Sequence, residues 1–239
     1  MRAFLTNIYI NEEINEKLDQ LGIDITTSIN ECDCIIYDCP IEEVFNQSFD
    51  ASQVKTIISK TEILTIDTLG PTSIEKKQSE EATFNAENVS EVSAKVKALI
   101  NSIIDKNMFS DQSRYMSLVA IELVQNALIY QRELDKSENI QLSITEGKVN
   151  YSICVTDPFG ALSHETILNK IQRAYREKSV ESKKTGAGLG FSMVLSASDE
   201  LIVKSEMNKK TTVCSIMNKY KRLKEYKSKT PTLYLRQGV

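Results

Sequence analysis

Short, wholly apolar runs alternate with segments of helical period through the first hundred residues, and few folds accept that alternation. A strand that is apolar at consecutive positions needs cover on both faces, the condition met by a parallel sheet flanked by helices. CDCIIYDCP, ending before Pro40, reads as such a strand, and VKTIIS and EILTID read as two more. AFL opens another near the start. IYINEEINEKLDQLG spaces its apolar residues as a helix does and closes on Gly22, with a strand expected after it. From Asn88 onward, Val89, Val92, Val96, Leu99, Ile100 and Ile103 describe an amphipathic helix. An α/β sandwich with a mostly parallel sheet is the expected fold of this half.

Charge divides the chain of 239 residues. Residues 1–105 hold 19 acidic and 8 basic residues, a net −11, whereas 106–239 hold 14 and 21, a net +7. The step sets an expected boundary near residue 105, with one domain over 1–105 and a second over 106–239. A basic half suits a polyanionic ligand such as a nucleotide, and halves of opposite sign attract. In the second half a helix is expected over residues 111–131 with Ser110 as its N-cap. Strands follow at IQLSITE and VNYSICVTD around a turn at Gly147, then a helix at ETILNKIQRAYREKS. ESKKTGAGLG is a glycine-bearing loop and FSMVLSASD the helix it opens. ELIVKSE and TTVCSIM read as strands about a turn at Asn208, before a basic segment, NKYKRLKEYKSK, and the tail.

The same composition excludes several classes. No stretch approaches the ~18 uninterrupted apolar residues of a membrane span, and acidic residues break up the N-terminal run before a signal-peptide core can form. Five cysteines, an odd number in a chain large enough for a real core, give no support to a disulfide framework, so a reducing cytoplasm is the expected setting. Cys32, Cys34 and Cys39 lie close together, but no partner pair or neighbouring histidine completes a zinc set, and they read as small residues packed in and beside a strand. The basic C-terminal segment reads as a solvated element end rather than a nucleic-acid surface.

Three separated stretches bear on chemistry. In SLVAIELVQNALIY, Glu122 and Asn126 stand one helical turn apart beside the apolar stripe of Met116, Val119, Leu123 and Ala127. Polar groups there are costly unless something satisfies them, such as a metal-bound ligand or a structural partner. In VTDPFGAL, Asp157 ends a strand, where a buried carboxylate can accept a hydrogen bond from an exocyclic amine, and Gly160 permits a tight backbone path. Asp-Pro before a glycine is also an ordinary turn signal. In TGAGLG, Gly186, Gly188, Leu189 and Gly190 lead into a helix whose free N–H groups and positive dipole end suit phosphate oxygens, with Lys183 and Lys184 beside them. The loop lacks the Lys-Ser/Thr ending of a P-loop and the position of a Rossmann fingerprint.

Taken in order, ELVQNA, VTDPFG and GAGLG resemble the asparagine box and two glycine boxes of the GHKL family, the ATPases of gyrase, heat-shock chaperones, histidine kinases and mismatch-repair proteins. The resemblance spans roughly residues 110–217, with KTTV in place of the family's Gly-Thr-Thr pattern. It implies a two-layer α+β Bergerat-fold domain following the first α/β sandwich. It further implies that Asn126 holds magnesium, that Asp157 recognises adenine, and that Gly160, Gly186, Gly188, Leu189, Gly190 and Thr211 line the ATP site, with Ser163 to Lys184 as the lid. The sole histidine, His164, lies downstream of Asp157, which excludes the histidine-kinase type of autophosphorylation. Glu122, four residues before the asparagine, is similar to the base of the anti-sigma-factor serine/threonine kinases. The expected function is therefore phosphorylation of a regulatory protein partner, an antagonist or a sigma-like protein, with homodimerisation allowed. Phe159 and Ala161 stand where the family keeps glycines, Tyr130 replaces a frequent histidine and Lys210 a glycine, so the alternative is a non-catalytic module that senses nucleotide or sequesters a partner. The first half resembles a degenerate response-regulator receiver. Asp38 ends a hydrophobic strand there, while Thr6 and Asn7 occupy the place of the acidic pair, which implies docking rather than phosphotransfer.

Overall fold

The computed structural model describes all residues except 67–69, 86–89, 105–109, 136, 178–188, 221, 223, 225–228 and 238–239. Its first elements are β1 (Arg2–Thr6), α1 (Glu12–Gln20), β2 (Asp24–Ile25), β3 (Cys34–Tyr37), α2 (Ile41–Asn46), β4 (Thr56–Ser59) and α3 (Lys60–Thr65). There follow β5 (Lys76–Phe84), α4 (Val92–Ile103), α5 (Ser110–Glu133), β6 (Ile140–Gly147), β7 (Asn150–Asp157) and α6 (His164–Glu177). The last are α7 (Leu189–Ala197), β8 (Glu200–Glu206), β9 (Lys210–Asn218) and β10 (Thr232–Gln237). The strands form one mixed sheet in the order β2-β1-β3-β4-β10-β8-β9-β7-β6-β5. β2, β1, β3 and β4 are mutually parallel, whereas β8, β9, β7, β6 and β5 are successively antiparallel. The fold is thus mixed α/β.

Period-two alternation explains how β3 and β4 sit between two cores. Ile35, Tyr37 and Ile57 point into the larger core, shared with α2 and α4 through α7, while Cys34, Ile36 and Ile58 point to the smaller one under α1 and α3. Cys32 faces the larger core and Cys34 the smaller. α1 starts where the Asn11 side chain accepts from the Ile14 amide at 3.0 Å, buries Ile14 and Leu18 one turn apart, and yields to Gly22 at φ 64°.

Four expectations need correction. EILTID is not a strand: Ser59 caps the chain by accepting from the Glu62 amide at 3.1 Å, so a helix begins directly at the end of β4. The Ser-x-x-Glu spacing is the signature that the apolar pattern hid. Ser110 is the first helical residue of α5 rather than the residue before it. The tail contains β10, which lies parallel to β8 and antiparallel to β4 and so fills the gap between the parallel and antiparallel groups. Finally, Cys154 and Cys214 form a disulfide, because the β7–β9 register places them opposite each other with Cα atoms 4.1 Å apart; Cys32, Cys34 and Cys39 are free.

β5 and α4 both precede residue 105, yet β5 pairs antiparallel with β6 and α4 packs on β5, β6 and α5. The charge step therefore does not coincide with a break in strand pairing. Across the sheet the two halves are also tied by packing: Phe45 of α2 stacks on Tyr175 of α6 at 5.4 Å, and the Tyr37 hydroxyl donates to the Pro231 carbonyl at 2.7 Å. Among the described residues no helix is long and apolar enough to cross a membrane.

Candidate functional site

α5 crosses behind β6 and β7, and its buried stripe fixes which way its polar residues face. Met116, Val119, Leu123 and Ala127 are buried in the larger core, which leaves Glu122 and Asn126 half-buried at its margin. The Asn126 amide donates to Glu122 Oε1 at 3.4 Å. Burial raises the Glu122 pKa above the usual carboxylate value, and the Asn126 hydrogen bond partly counters it. Across from them α7 begins, and Glu122 lies directly against Gly190: a Cβ there would fall 1.7 Å from Glu122 Oε1. Only glycine lets the carboxylate approach the helix start so closely.

β7 delivers Asp157 to the same region. Its Oδ1 accepts from the amides of Phe159 at 2.9 Å and Gly160 at 3.3 Å, so the carboxylate both shapes the turn and sits buried beneath it. Burial again raises its pKa; the Phe159 and Gly160 amides and the facing Thr211 act in the opposite direction. Thr211 is opposite Asp157 in the β7–β9 register, and its buried hydroxyl faces that carboxylate. Asn126, Tyr130, Val155, Asp157, Phe191 and Val213 are among the residues lining one hollow of ≈ 20 Å³, room for about one water.

The sequence-predicted residues thus fall into three groups. Asn126 and Asp157, 31 positions apart in the numbering, share the hollow, with Glu122 and Gly190 together beside Asn126 and Thr211 beside Asp157. Gly160 is placed elsewhere. At φ 60° its backbone packs on the β8–β9 turn, where a Cβ would meet Glu206 O at 2.1 Å, and it borders a separate cavity of ≈ 450 Å³ with Ser163, His164 and Ser205. Gly186 and Gly188, with Lys183 and Lys184, lie outside the described residues, and Leu189 opens α7. Phe159 turns its ring into the larger core rather than into the hollow.

Two lysines went unnoticed in the sequence. Lys170 of α6 donates to the Tyr130 hydroxyl at 2.6 Å, which brings a cation to the rim of the hollow. Helical spacing shows that Lys170 is on α6 but not that α6 lies over Tyr130. Lys60, at the start of α3, pairs with Asp38 at 3.2 Å beyond the ends of β3 and β4.

Fold and site together define a mixed α/β protein with a small, mainly apolar hollow, edged by Asn126 and Asp157, between the long helix α5, the short helix α7 and the antiparallel strands β7 and β9. No protein-family model matches the chain, and none of the curated proteins does. Among solved structures it is similar to a chain from the crystal structure of the SiaB–SiaC complex from Pseudomonas aeruginosa. That likeness covers 57% of this chain and 88% of that chain, at 15% identity and a TM-score of 0.43.

Proposed function

We propose that the chain is a signalling protein that binds ATP with magnesium and transfers the γ-phosphoryl group to a serine or threonine hydroxyl of a regulatory protein. One observation carries the reading: Asn126 and Asp157, from different elements, line one hollow at whose edge Glu122 meets the start of α7. The residues present suit the ligand. A buried carboxylate facing a buried hydroxyl can engage the amine edge of adenine, Asp157 as acceptor and Thr211 as donor. Magnesium takes hard oxygen ligands, and the side-chain oxygen of Asn126 is one, leaving the phosphates to supply others. Magnesium would neutralise charge on the phosphate oxygens during transfer.

In this reading Glu122 accepts the proton of the attacking hydroxyl, and its raised pKa makes it a stronger base than an exposed glutamate. The α7 start, with Gly190, presents N–H groups toward the phosphates. Lys170 adds positive charge at the rim. At ≈ 20 Å³ the hollow must widen before a base can enter, so binding is coupled to movement of its wall. The four parallel strands follow the 2-1-3-4 order of doubly wound domains, which suits a receiver-like docking unit in the first half.

Incubating the protein with magnesium, labelled ATP and cell lysate should label a partner on serine or threonine, and Glu122→Ala should abolish it. Equal labelling by both proteins would remove Glu122 from the mechanism. The narrow hollow favours a second reading, a module that senses nucleotide without turnover. Calorimetric binding of magnesium and ATP with no transferred label would select it.

A further inference from the structure

Among the five cysteines only Cys154 and Cys214 face each other, as a directly opposed pair on the neighbouring strands β7 and β9. Ile153 and Val155 of β7 point into the larger core, so Cys154 between them points to the opposite face of the sheet, and both bonded cysteines are partly exposed there. Along the same pair of strands the Thr156 and Thr212 hydroxyls meet at 3.0 Å, and the next register pair is Asp157 with Thr211. The disulfide thus lies three residues, about 10 Å, from the pair that would recognise the base. No flexible loop intervenes to absorb a change in strand spacing. Cys32 and Cys34 are buried, and burial pushes both thiols up, which keeps them inert.

We propose that Cys154 and Cys214 form a reversible thiol–disulfide switch, exchanging with a small cellular thiol, that sets the geometry of Asp157 and Thr211. The chemistry balances without another reagent. A thiolate of the small thiol attacks one Sγ, the Cys154–Cys214 bond breaks, and the released cysteine thiolate takes up a proton. A second small thiol then attacks the mixed disulfide, frees the other cysteine and leaves as a symmetric small-molecule disulfide; two electrons have moved to the protein. With the bond intact the strand ends are held in place for a ligand, so the oxidised form is the tighter binder. The effect on nucleotide affinity rests on the function proposed above, whereas the switch itself does not.

The test uses the full chain, purified oxidised and exposed under native conditions to buffers of rising reduced glutathione, then alkylated and digested for mass spectrometry. Cys154 and Cys214 should be alkylated together and recover on return to oxidised glutathione, with Cys32 and Cys34 labelled only after unfolding. Amide hydrogen exchange of residues 155–157 and 211–213 should accelerate on reduction. Affinity for magnesium-ATP should fall about 5-fold or more, a typical coupling, in the native sequence, and a Cys154→Ser/Cys214→Ser protein should be insensitive to glutathione. A pair that stays bonded in millimolar glutathione, or one whose reduction leaves exchange of those amides unchanged, overturns the switch. Should neither redox form bind nucleotide, the nucleotide reading fails, and the exchange measurement still decides the switch.

Discussion

Replacing Gly190 by alanine sets two opposing effects against each other. In an ordinary helix interior, glycine to alanine stabilises by up to about 1 kcal/mol, since the folded state loses less backbone freedom. Here the new methyl would lie 1.7 Å from Glu122 Oε1, 2.4 Å from Cδ and 2.8 Å from Cγ, so the glutamate must swing away. Doing so forfeits its contact with Asn126, a long hydrogen bond of 3.4 Å, and disturbs a half-buried side chain. Forced insertions of this kind cost about 1–3 kcal/mol. Gly190→Ala alone should therefore be destabilised by about 0–2 kcal/mol. In a Glu122→Ala background the obstruction is gone, and the same substitution should stabilise by up to about 1 kcal/mol. The sign reversal is the diagnostic, with a coupling of about 1–3 kcal/mol between the two positions. In a chain of this size each kcal/mol moves Tm by about 2–4 °C, well within the reach of thermal or urea unfolding of the four proteins. If the two substitutions simply add, to within about 0.5 kcal/mol, Glu122 does not rest on Gly190 and the arrangement of α5 and α7 described above is wrong.

Other substitutions test the same framework. Gly160→Ala combines a left-handed φ with backbone overlap on Glu206, Asn208 and Lys209, and the urea midpoint should reveal a loss of at least about 2 kcal/mol. Asp157→Asn keeps an acceptor for the Phe159 and Gly160 amides but removes a buried charge. Because burial raises the folded-state pKa above the unfolded value, the native carboxyl holds its proton to higher pH, and stability falls as pH rises through that raised value. The asparagine variant should lack this loss, being more stable than the native protein at pH 7 yet unable to bind ATP; equal pH dependence of the two unfolding curves would contradict the burial argument. Ser59→Ala removes the cap of α3 and should cost about 1 kcal/mol by chemical denaturation.

Strongly patterned elements were readable from the chain itself. The paired carboxylate and amide of α5, the turn residues Gly22 and Asn208 with positive φ, and the strands of β3, β6, β7, β8 and β9 follow from local periodicity and turn chemistry. β5 was not readable, because KKQSEEATF at a sheet edge buries fully only Phe84 and shows no apolar alternation. β10 lies in a short LYL run after Pro231 that nothing local distinguishes from a tail; its partners, β4 and β8, are far from one another in sequence. EILTID misled because a short stretch with Ile63, Leu64 and Ile66 suits either element and the capping serine stood in the preceding strand.

Residue types and spacing alone determined which side chains could do chemistry, since an i, i+4 pair on a helix and a glycine before a helix start are local geometric facts. Tertiary structure alone decided that Asn126 and Asp157 meet in one hollow while Gly160 serves a turn, that Lys170 reaches Tyr130, and that Cys154 lies opposite Cys214. Each of those contacts joins segments brought together by strand register and sheet order, and register depends on how the whole apolar surface is buried rather than on any short stretch of chain.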